Sequence, residues 1–206
     1  MTRDVSIAVM ARAPERGRAK TRLIPALGAA GAAKLHAALV RHALGEVARW
    51  GLPATLWCAP DTDHPFFAEC ALGFGVALRA QPVGDLGARM SAAFDSANGP
   101  LLLMGSDCPS IDATLLQACA DALSRAPAVF LPTADGGYGL VGLQRPVPEL
   151  FTDMPWGADA VMALTRERLS RLAIAWEEPA EIWDVDTPGD LVRLAAAGFA
   201  IPPYED

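Results

Sequence analysis

The sequence predicts one α/β domain in which helices cover both faces of a mostly parallel sheet. Short β-rich segments alternate with segments of helical periodicity along the 206 residues, and this order is typical of parallel sheets. The 18 glycines and 17 prolines fall in the turns between segments rather than in one hinge. The length and the 52% hydrophobic composition are sufficient for a single large core.

Seven segments have the length and composition of strands. The central one is the continuous apolar run 101–104, which lies between Gly99-Pro100 and Gly105. Such a run is typical of a strand that is buried on both faces of its sheet. We predict strands over residues 6–10, 54–58, 76–80, 101–104, 128–131, 138–143 and 173–176.

Six segments repeat apolar residues at helical spacing. Gly51 and Pro53 end the first of them, because neither residue continues a helix well. Asp112 is placed as the N-cap of the fourth. We predict helices over residues 29–50, 64–72, 86–97, 111–125, 158–172 and 190–197.

Composition excludes several classes of protein. The net charge is −7 and no dense basic patch is present, so we expect no nucleic-acid partner. We also expect neither a membrane span nor a signal peptide, because the first apolar run is short and Arg12 follows it. The cysteines show no Cys-x-x-Cys spacing, which favours reduced thiols and a cytoplasmic protein. They are Cys58, Cys70, Cys108 and Cys119, and we expect all four to be catalytically idle.

One carboxylate, Asp107, follows the central strand directly. Ligands of open α/β sheets bind outside the carboxyl ends of the strands. Held between Gly105 and Pro109, this carboxylate could ligate a Mg²⁺ ion that bridges phosphates. The alternative is a loop aspartate that caps the next helix.

A basic loop follows the first strand. Five cations in an acidic protein indicate an anion site, and phosphate is the anion that we expect there. The alternative is a solvated loop with no ligand. The loop matches neither the Walker A pattern nor the Gly-x-Gly-x-x-Gly pattern of dinucleotide sites. Its cations are Arg12, Arg16, Arg18, Lys20 and Arg22.

Two further polar blocks lie at strand or helix ends. The block 85–90 offers backbone N–H groups and Arg89 to an anion or a base, or it is only an ordinary helix start. The block 135–138 contains a glycine pair that permits close approach to a ligand. The same letters are typical of an Asp-Gly hairpin turn, which these residues alone favour.

The last polar block, 184–188, contains two carboxylates. We expect only one of them, Asp186, to face the crevice beside Asp107. The string also imitates the nucleophile motif of haloacid-dehalogenase-type phosphatases. That motif follows the first strand of its domain, whereas only 20 residues follow Asp186 here, so we set the phosphatase reading aside.

Together these blocks resemble a bacterial family of uncharacterised function, DUF2064, which is classed with the GT-A glycosyltransferases and nucleotidyltransferases. The opening block reads Arg-Ala-Pro-Glu-Arg-Gly-Arg-Ala-Lys-Thr-Arg-Leu, and the others follow in the family's order along nearly the whole chain. The matching blocks are residues 12–23, 85–90, 105–109, 135–138, 155–157 and 184–188.

The resemblance implies a nucleotide-diphospho-sugar transferase fold of the GT-A type. This fold is a three-layer α/β/α domain whose mainly parallel, mixed sheet has one reversed strand. The resemblance also implies a nucleotide site along the first half of the sheet. A divalent metal, Mg²⁺ or Mn²⁺, would be held by Asp107 with Asp186, and Asp135 would orient or deprotonate the acceptor hydroxyl. The expected nucleotide-binding residues are Arg12, Lys20, Arg22, Asp85, Gly87, Arg89, Gly136, Gly137 and Tyr138.

Three departures from the family pattern concern the same site. GT-A glycosyltransferases usually carry an Asp-x-Asp motif, and residues 105–107 keep only its last carboxylate. Gly139 stands where the family commonly has Tyr, and Ala158 stands where it commonly has Thr. We expect a metal-dependent glycosyltransferase that uses a nucleotide sugar and a small acceptor. The alternatives are a nucleotidyltransferase that releases pyrophosphate and a non-catalytic nucleotide-binding module.

Overall fold

The computed structural model describes residues 5–206, which contain a seven-stranded sheet. The strands are β1 (Ser6–Arg12), β2 (Ala54–Ala59), β3 (Ala77–Ala80), β4 (Leu101–Gly105), β5 (Ala128–Pro132), β6 (Tyr138–Leu143) and β7 (Trp176–Glu177). Their order is β3-β2-β1-β4-β6-β5-β7. Strand β6 is antiparallel to both of its neighbours, and the other pairs are parallel. The predicted mixed, mainly parallel sheet with one reversed strand is therefore confirmed.

Six α-helices connect or follow the strands. They are α1 (Ile24–Trp50), α2 (Pro65–Phe74), α3 (Leu86–Asp95), α4 (Ala113–Arg125), α5 (Val161–Arg171) and α6 (Asp190–Ala196). One apolar cluster packs α1, α2 and α4 on one face of the sheet, and a second packs α3 and α5 on the other. The three-layer α/β/α arrangement is thus confirmed.

Strand β4 shows why its sequence is apolar without interruption. Leu102 and Met104 belong to the first cluster, whereas Leu101 and Leu103 belong to the second. Since successive side chains of a strand point to opposite faces, both sets are buried. The strand lies between β1 and β6, so Asp107 is carried to the middle of the sheet's carboxyl edge.

Helix α1 is kinked at Gly28, which has the non-helical angles φ 70° and ψ 170°. The continuous helix after the kink starts at residue 29, as predicted, and residues 24–27 form a short helical segment before it. The chain near Glu205 packs against this kink, and a Cβ atom at Gly28 would lie 2.0 Å from the Glu205 carbonyl oxygen. Helix α1 is long and apolar enough to span a membrane, but 67% of its apolar window is buried, as in a core helix.

The predicted strand over 173–176 is largely wrong. Ala173 has φ 54°, and the backbone N–H of Ile174 donates to the Leu169 carbonyl, so these residues end α5. Only Trp176–Glu177 pairs with β5 as β7. A two-residue strand leaves too little alternation for sequence analysis to detect.

Candidate active site

A cavity of about 610 Å³ opens at the carboxyl edge of the sheet. The ends of β1 and β4, the turn between β5 and β6 and the segment around Asp184 all line it. Most of the predicted site residues are brought together there, although they come from distant parts of the chain. Those in the lining are Arg12, Lys20, Arg22, Arg89, Asp107, Asp135, Gly137, Tyr138 and Asp186.

The ammonium of Lys20 lies between two carboxylates in the cavity. Its Nζ donates to Asp107 Oδ2 at 2.9 Å and lies 3.9 Å from Asp186 Oδ1. The Lys20 side chain is 8% exposed, while those of Asp107 and Asp186 are 39% and 36% exposed. The cation is therefore the most deeply buried member of this cluster.

The charges of this pair stabilise each other against the cost of burial. Burial alone would raise the pKa of Asp107, but the charge and hydrogen bond of Lys20 hold that pKa below its usual value. Burial would lower the pKa of Lys20, and Asp107 raises it above its usual value. Both groups are consequently ionised at neutral pH.

The backbone fixes where Asp107 points. A Cβ atom at Gly105 would lie 2.9 Å from Asp107 Oδ1, so a larger residue there would displace this carboxylate from its present position. The carbonyl of Asp107 accepts a 3.0 Å hydrogen bond from Val185 N–H, which ties the loop to the segment that carries Asp186. Asp112, as predicted, caps α4 by accepting from Leu115 N–H at 2.7 Å. The alternative that Asp107 caps this helix is therefore wrong.

Both carboxylates of the block 184–188 line the cavity, so the expectation that only one faces it was wrong. In an extended segment, side chains two residues apart share a face, and Asp184 therefore points the same way as Asp186. Burial, followed by the negative charges of Asp135 and Asp107, raises the pKa of Asp184 to about 6. The alternation in the sequence was the signal that could have identified Asp184.

The basic loop is held in place from behind by His36, which the sequence analysis missed. The buried His36 ring lines the cavity, and its Nε2 lies 2.8 Å from the Arg12 carbonyl oxygen. Burial lowers the pKa of His36 in spite of that hydrogen bond, so the ring is neutral at pH 7. No pattern in helix α1 distinguishes this histidine from an ordinary core residue.

The loop's cations differ in their surroundings. Arg22 pairs with Asp186 through Nη1 and its side chain is 72% exposed. Arg18 also lines the cavity and pairs with Glu15, whereas Arg16 lines a separate shallow pocket. Lys20 is thus the buried cation of the loop, and Arg22 is the exposed one beside it.

The block 135–138 is the turn of the β5–β6 hairpin, so the hairpin alternative is confirmed. Asp135 Oδ1 accepts from the hydroxyl of Thr133 and from Gly137 N–H. Gly136 has φ 88°, and a Cβ atom there would lie 1.8 Å from the Asp159 carbonyl oxygen. The turn nevertheless lies at the cavity, where Asp135 is exposed.

An aromatic wall continues from this turn. The rings of Tyr138 and Trp156 meet edge to face with their centroids 6.5 Å apart, and both line the cavity. The Tyr138 hydroxyl and Trp156 Nε1 are buried without a hydrogen-bond partner. Burial raises the pKa of Tyr138, which therefore stays protonated. Directly after Tyr138 in β6, a Cβ atom at Gly139 would lie 2.4 Å from Cys108 Sγ.

The block 85–90 is first of all a helix start. Asp85 caps α3 by accepting from Ala88 N–H at 2.8 Å, and Gly87 packs against the Phe151 carbonyl and Trp156. Asp85, Gly87 and the turn residue Gly136 lie outside the lining of the cavity.

Arg89 does line the cavity, beside a residue that the sequence analysis missed. The side-chain amide of Gln81 donates to the carbonyls of Ala11 and Trp57, and Arg89 Nη1 approaches Gln81 Oε1 at 3.5 Å. A polar residue just after β3, at the carboxyl edge of the sheet, was the available signal.

The carboxylates of Asp107 and Asp186 beside Lys20 fit a divalent metal whose remaining coordination positions would be filled by a bound ligand. Asp107 and Asp186 already share one cation, and Gly105 makes room for the Asp107 carboxylate. Within residues 5–206, no group of three or more His, Cys, Asp or Glu side chains could hold a metal. Mg²⁺ commonly takes one or two carboxylates together with substrate phosphates and waters, so this pair is sufficient for it.

Several solved structures resemble this chain. One is a protein from Desulfovibrio desulfuricans G20 that is provisionally named a nucleotide-diphospho-sugar transferase. It is 32% identical to this chain, with a TM-score of 0.86 over 95% of this chain and 87% of its own. No protein of curated function matches.

More distant structures share the fold. A CMP:2-keto-3-deoxy-manno-octonic acid synthetase in complex with CTP has a TM-score of 0.59 at 16% identity, and the match covers 95% of this chain and 98% of that one. Glucosyl-3-phosphoglycerate synthase from Mycobacterium tuberculosis, in complex with Mn²⁺, UDP and phosphoglyceric acid, has a TM-score of 0.56 at 13% identity. That match covers 93% of this chain and 74% of the synthase.

A comparison of the chain with the family's sequence pattern agrees with the resemblance described above. Residues 43–158 match the family described as "Uncharacterized protein conserved in bacteria (DUF2064)". This span is more than half of the chain, and the 32% identity to the Desulfovibrio protein extends the likeness to 95% of it. The chain therefore belongs to the DUF2064 family and has the fold of nucleotide-diphospho-sugar transferases.

Proposed function

We propose that this protein is a Mg²⁺- or Mn²⁺-dependent glycosyltransferase that uses a nucleotide sugar and a small acceptor. The observation that carries the proposal is the cluster of Lys20, Asp107 and Asp186 in a cavity at the carboxyl edge of the sheet. Cations and carboxylates at this place suit a metal-bound diphosphate. The provisional name of the Desulfovibrio protein, a nucleotide-diphospho-sugar transferase, supports the same class of reaction.

The basic loop offers side-chain cations to a diphosphate. The N–H groups of Ala13, Glu15, Arg18 and Ala19 already donate to carbonyls of the protein, so these four are not available to a ligand. The side chains of Lys20, Arg22 and Arg12 would contribute the positive charge that holds the phosphates. A diphosphate leaving group is what glycosyl transfer from a nucleotide sugar requires.

Each residue of the cluster then has a distinct task. Asp107 and Asp186 would hold the metal, which when bound neutralises charge that develops on the leaving diphosphate. Lys20 and Arg22 would contribute charge-assisted hydrogen bonds to the same phosphates. The bonds between the metal's carboxylates and these two cations explain why all four side chains lie in one cluster.

Asp135, which lines the same cavity, would act on the acceptor. Its Oδ1 is fixed by the Thr133 hydroxyl and Gly137 N–H, so the carboxylate is oriented before any substrate binds. In that position it would orient or deprotonate the acceptor hydroxyl. The aromatic wall of Tyr138 and Trp156 lies beside it and would contact the apolar face of a sugar ring.

Nucleotidyl transfer is the second candidate. The match to the CTP-bound synthetase covers nearly the whole of both chains, which favours it on grounds of fold. In that reaction a substrate phosphate attacks the α-phosphate of a nucleoside triphosphate, and pyrophosphate leaves.

Analysis of products distinguishes the candidates. A thermal-shift screen of nucleotides and nucleotide sugars, in Mn²⁺ or in EDTA, would first identify the donor. A ligand at 100 times its Kd stabilises the fold by about 2.7 kcal/mol. With that donor and a panel of small acceptors, we expect free nucleoside diphosphate. Pyrophosphate would instead establish nucleotidyl transfer, and metal-dependent binding without turnover would indicate a binding module.

A further inference from the structure

The position of Lys20 raises a question about the metal site. Its ammonium lies where the two candidate metal ligands converge, at 2.9 Å from Asp107 and 3.9 Å from Asp186. A metal held by the same two carboxylates would lie within a few ångströms of that ammonium. Two cations this close repel each other, so a metal on both carboxylates would compete with Lys20 for them.

We propose that Lys20 is a built-in counter-ion that occupies the metal position in the free protein and leaves it when a metal-bound diphosphate enters. This inference rests on the proposed function. It deepens that function by making metal binding and donor binding mutually dependent. The free protein would bind the metal weakly. Binding of the donor would strengthen metal binding, because the diphosphate gives Lys20 a new partner.

The burial of Lys20 explains this dependence. Its side chain is 8% exposed, so an ammonium that lost both carboxylates to a metal would be left without a partner in a poorly solvated place. Phosphate oxygens beside the metal would give it new acceptors. Lysine is suited to such an exchange, because its charge is compact and its four-carbon stem is flexible.

Neighbouring side chains allow this movement. Asp107 and Asp186 are each more than one third exposed, so their oxygens can be reached from the cavity without opening the fold. Arg22 pairs with Asp186 from the solvent side and does not lie between the carboxylates. It therefore provides a matched control in which one cation of the cluster is removed while the metal position stays occupied.

The test measures the binding of Mn²⁺ alone, in the absence of any nucleotide. Free Mn²⁺ is followed by electron paramagnetic resonance in titrations of the wild type, Lys20→Met, Arg22→Met and the double variant Lys20→Met/Asp107→Asn. We expect Lys20→Met to bind Mn²⁺ about tenfold or more tightly than the wild type, a change of about 1.4 kcal/mol. Arg22→Met should gain less, and the double variant should lose the gain.

Mn²⁺ affinity in Lys20→Met equal to or weaker than that of the wild type would overturn the proposal. If that variant does not fold, Lys20→Gln makes the same test with a side chain that still hydrogen-bonds to Asp107. Because no donor is used, the result is independent of the reaction. A gain in Mn²⁺ affinity with no turnover of any donor would refute the proposed function alone.

Discussion

Replacing Asp107 by Asn removes one of the two negative charges around the Lys20 ammonium. Breaking a fully buried ion pair by removing one partner costs about 3–5 kcal/mol. Here Asp107 is 39% exposed and Asp186 lies 3.9 Å from the ammonium, so solvent and the second carboxylate reduce that cost. The Asn carbonyl can still accept from Lys20. We therefore expect Asp107→Asn to fold and to lose about 1–2 kcal/mol of stability at pH 7.

The loss should depend on pH in a defined direction. Although burial opposes it, Lys20 holds the pKa of Asp107 below the usual value of 3.8 in the folded protein. The stabilisation is thus complete above the unfolded-state pKa of about 3.9 and disappears as pH falls through the lower folded-state pKa. Urea denaturation of the wild type and the variant, from pH 7 to about pH 3, should show the two curves converging in acid.

Asp112→Asn is the matched control for this experiment. Asp112 also lies in the loop between β4 and α4, but it caps the helix, and Asn caps a helix about as well as Asp. That variant should be nearly as stable as the wild type at pH 7. Equal stability of Asp107→Asn and the wild type would refute the electrostatic reasoning. Undiminished Mn²⁺-dependent nucleotide binding in Asp107→Asn, measured by calorimetry, would refute the metal site.

Substitutions at three other positions test separate parts of the structure. Arg22→Ala should weaken the binding of the best nucleotide in titrations by about 1.5 kcal/mol. This is the low end for a charge-assisted hydrogen bond, because Arg22 is exposed. Nucleotide affinity equal to that of the wild type would contradict the phosphate role of Arg22. Cys108→Ser should keep most of the turnover, since burial, followed by the charge of Asp107, raises the pKa of the thiol well above its usual value. A variant that folds but is inactive would instead indicate a covalent mechanism in which Cys108 is the nucleophile. Glu46→Ala should lose about 1–3 kcal/mol of unfolding free energy in urea denaturation, because the buried Glu46 accepts from Ala113 N–H at the start of α4. Glu46→Gln should lose less stability. Equal losses in the two variants would exclude that hydrogen bond as the cause.

Sequence patterns predicted the fold well where a segment is long or buried on both faces. The continuous apolar run of β4 and the helical spacing in α1 were both sufficient. The patterns failed at 173–176, where Ala173 closes a helix in a left-handed conformation that no neighbouring residue type requires. Such local geometry is decided by packing rather than by periodicity.

For the site, the sequence predicted individual residues better than their partners. Asp107 was selected because it comes directly after a strand, and Lys20 because it belongs to the basic loop that follows β1. Their contact joins residues 87 positions apart, and no spacing rule reports it. His36 and Gln81 were missed because each acts on backbone carbonyls, and contacts of that kind leave no motif in the sequence.

The reversed strand β6 makes one part of the cavity a local hairpin, whereas the charged cluster is assembled from distant segments. The two parts therefore differ in how they tolerate substitutions. On one side, Lys20, Asp107 and Asp186 come from three distant segments, so altering one charge there disturbs the other two. On the other side, the turn that carries Asp135 joins two adjacent strands and is held largely by its own hydrogen bonds. The exposed Asp135 of this hairpin can therefore be replaced singly, whereas a Cβ atom at Gly136 would meet the Asp159 carbonyl and one at Gly139 would meet Cys108 Sγ. The charged side can change only through coordinated substitutions.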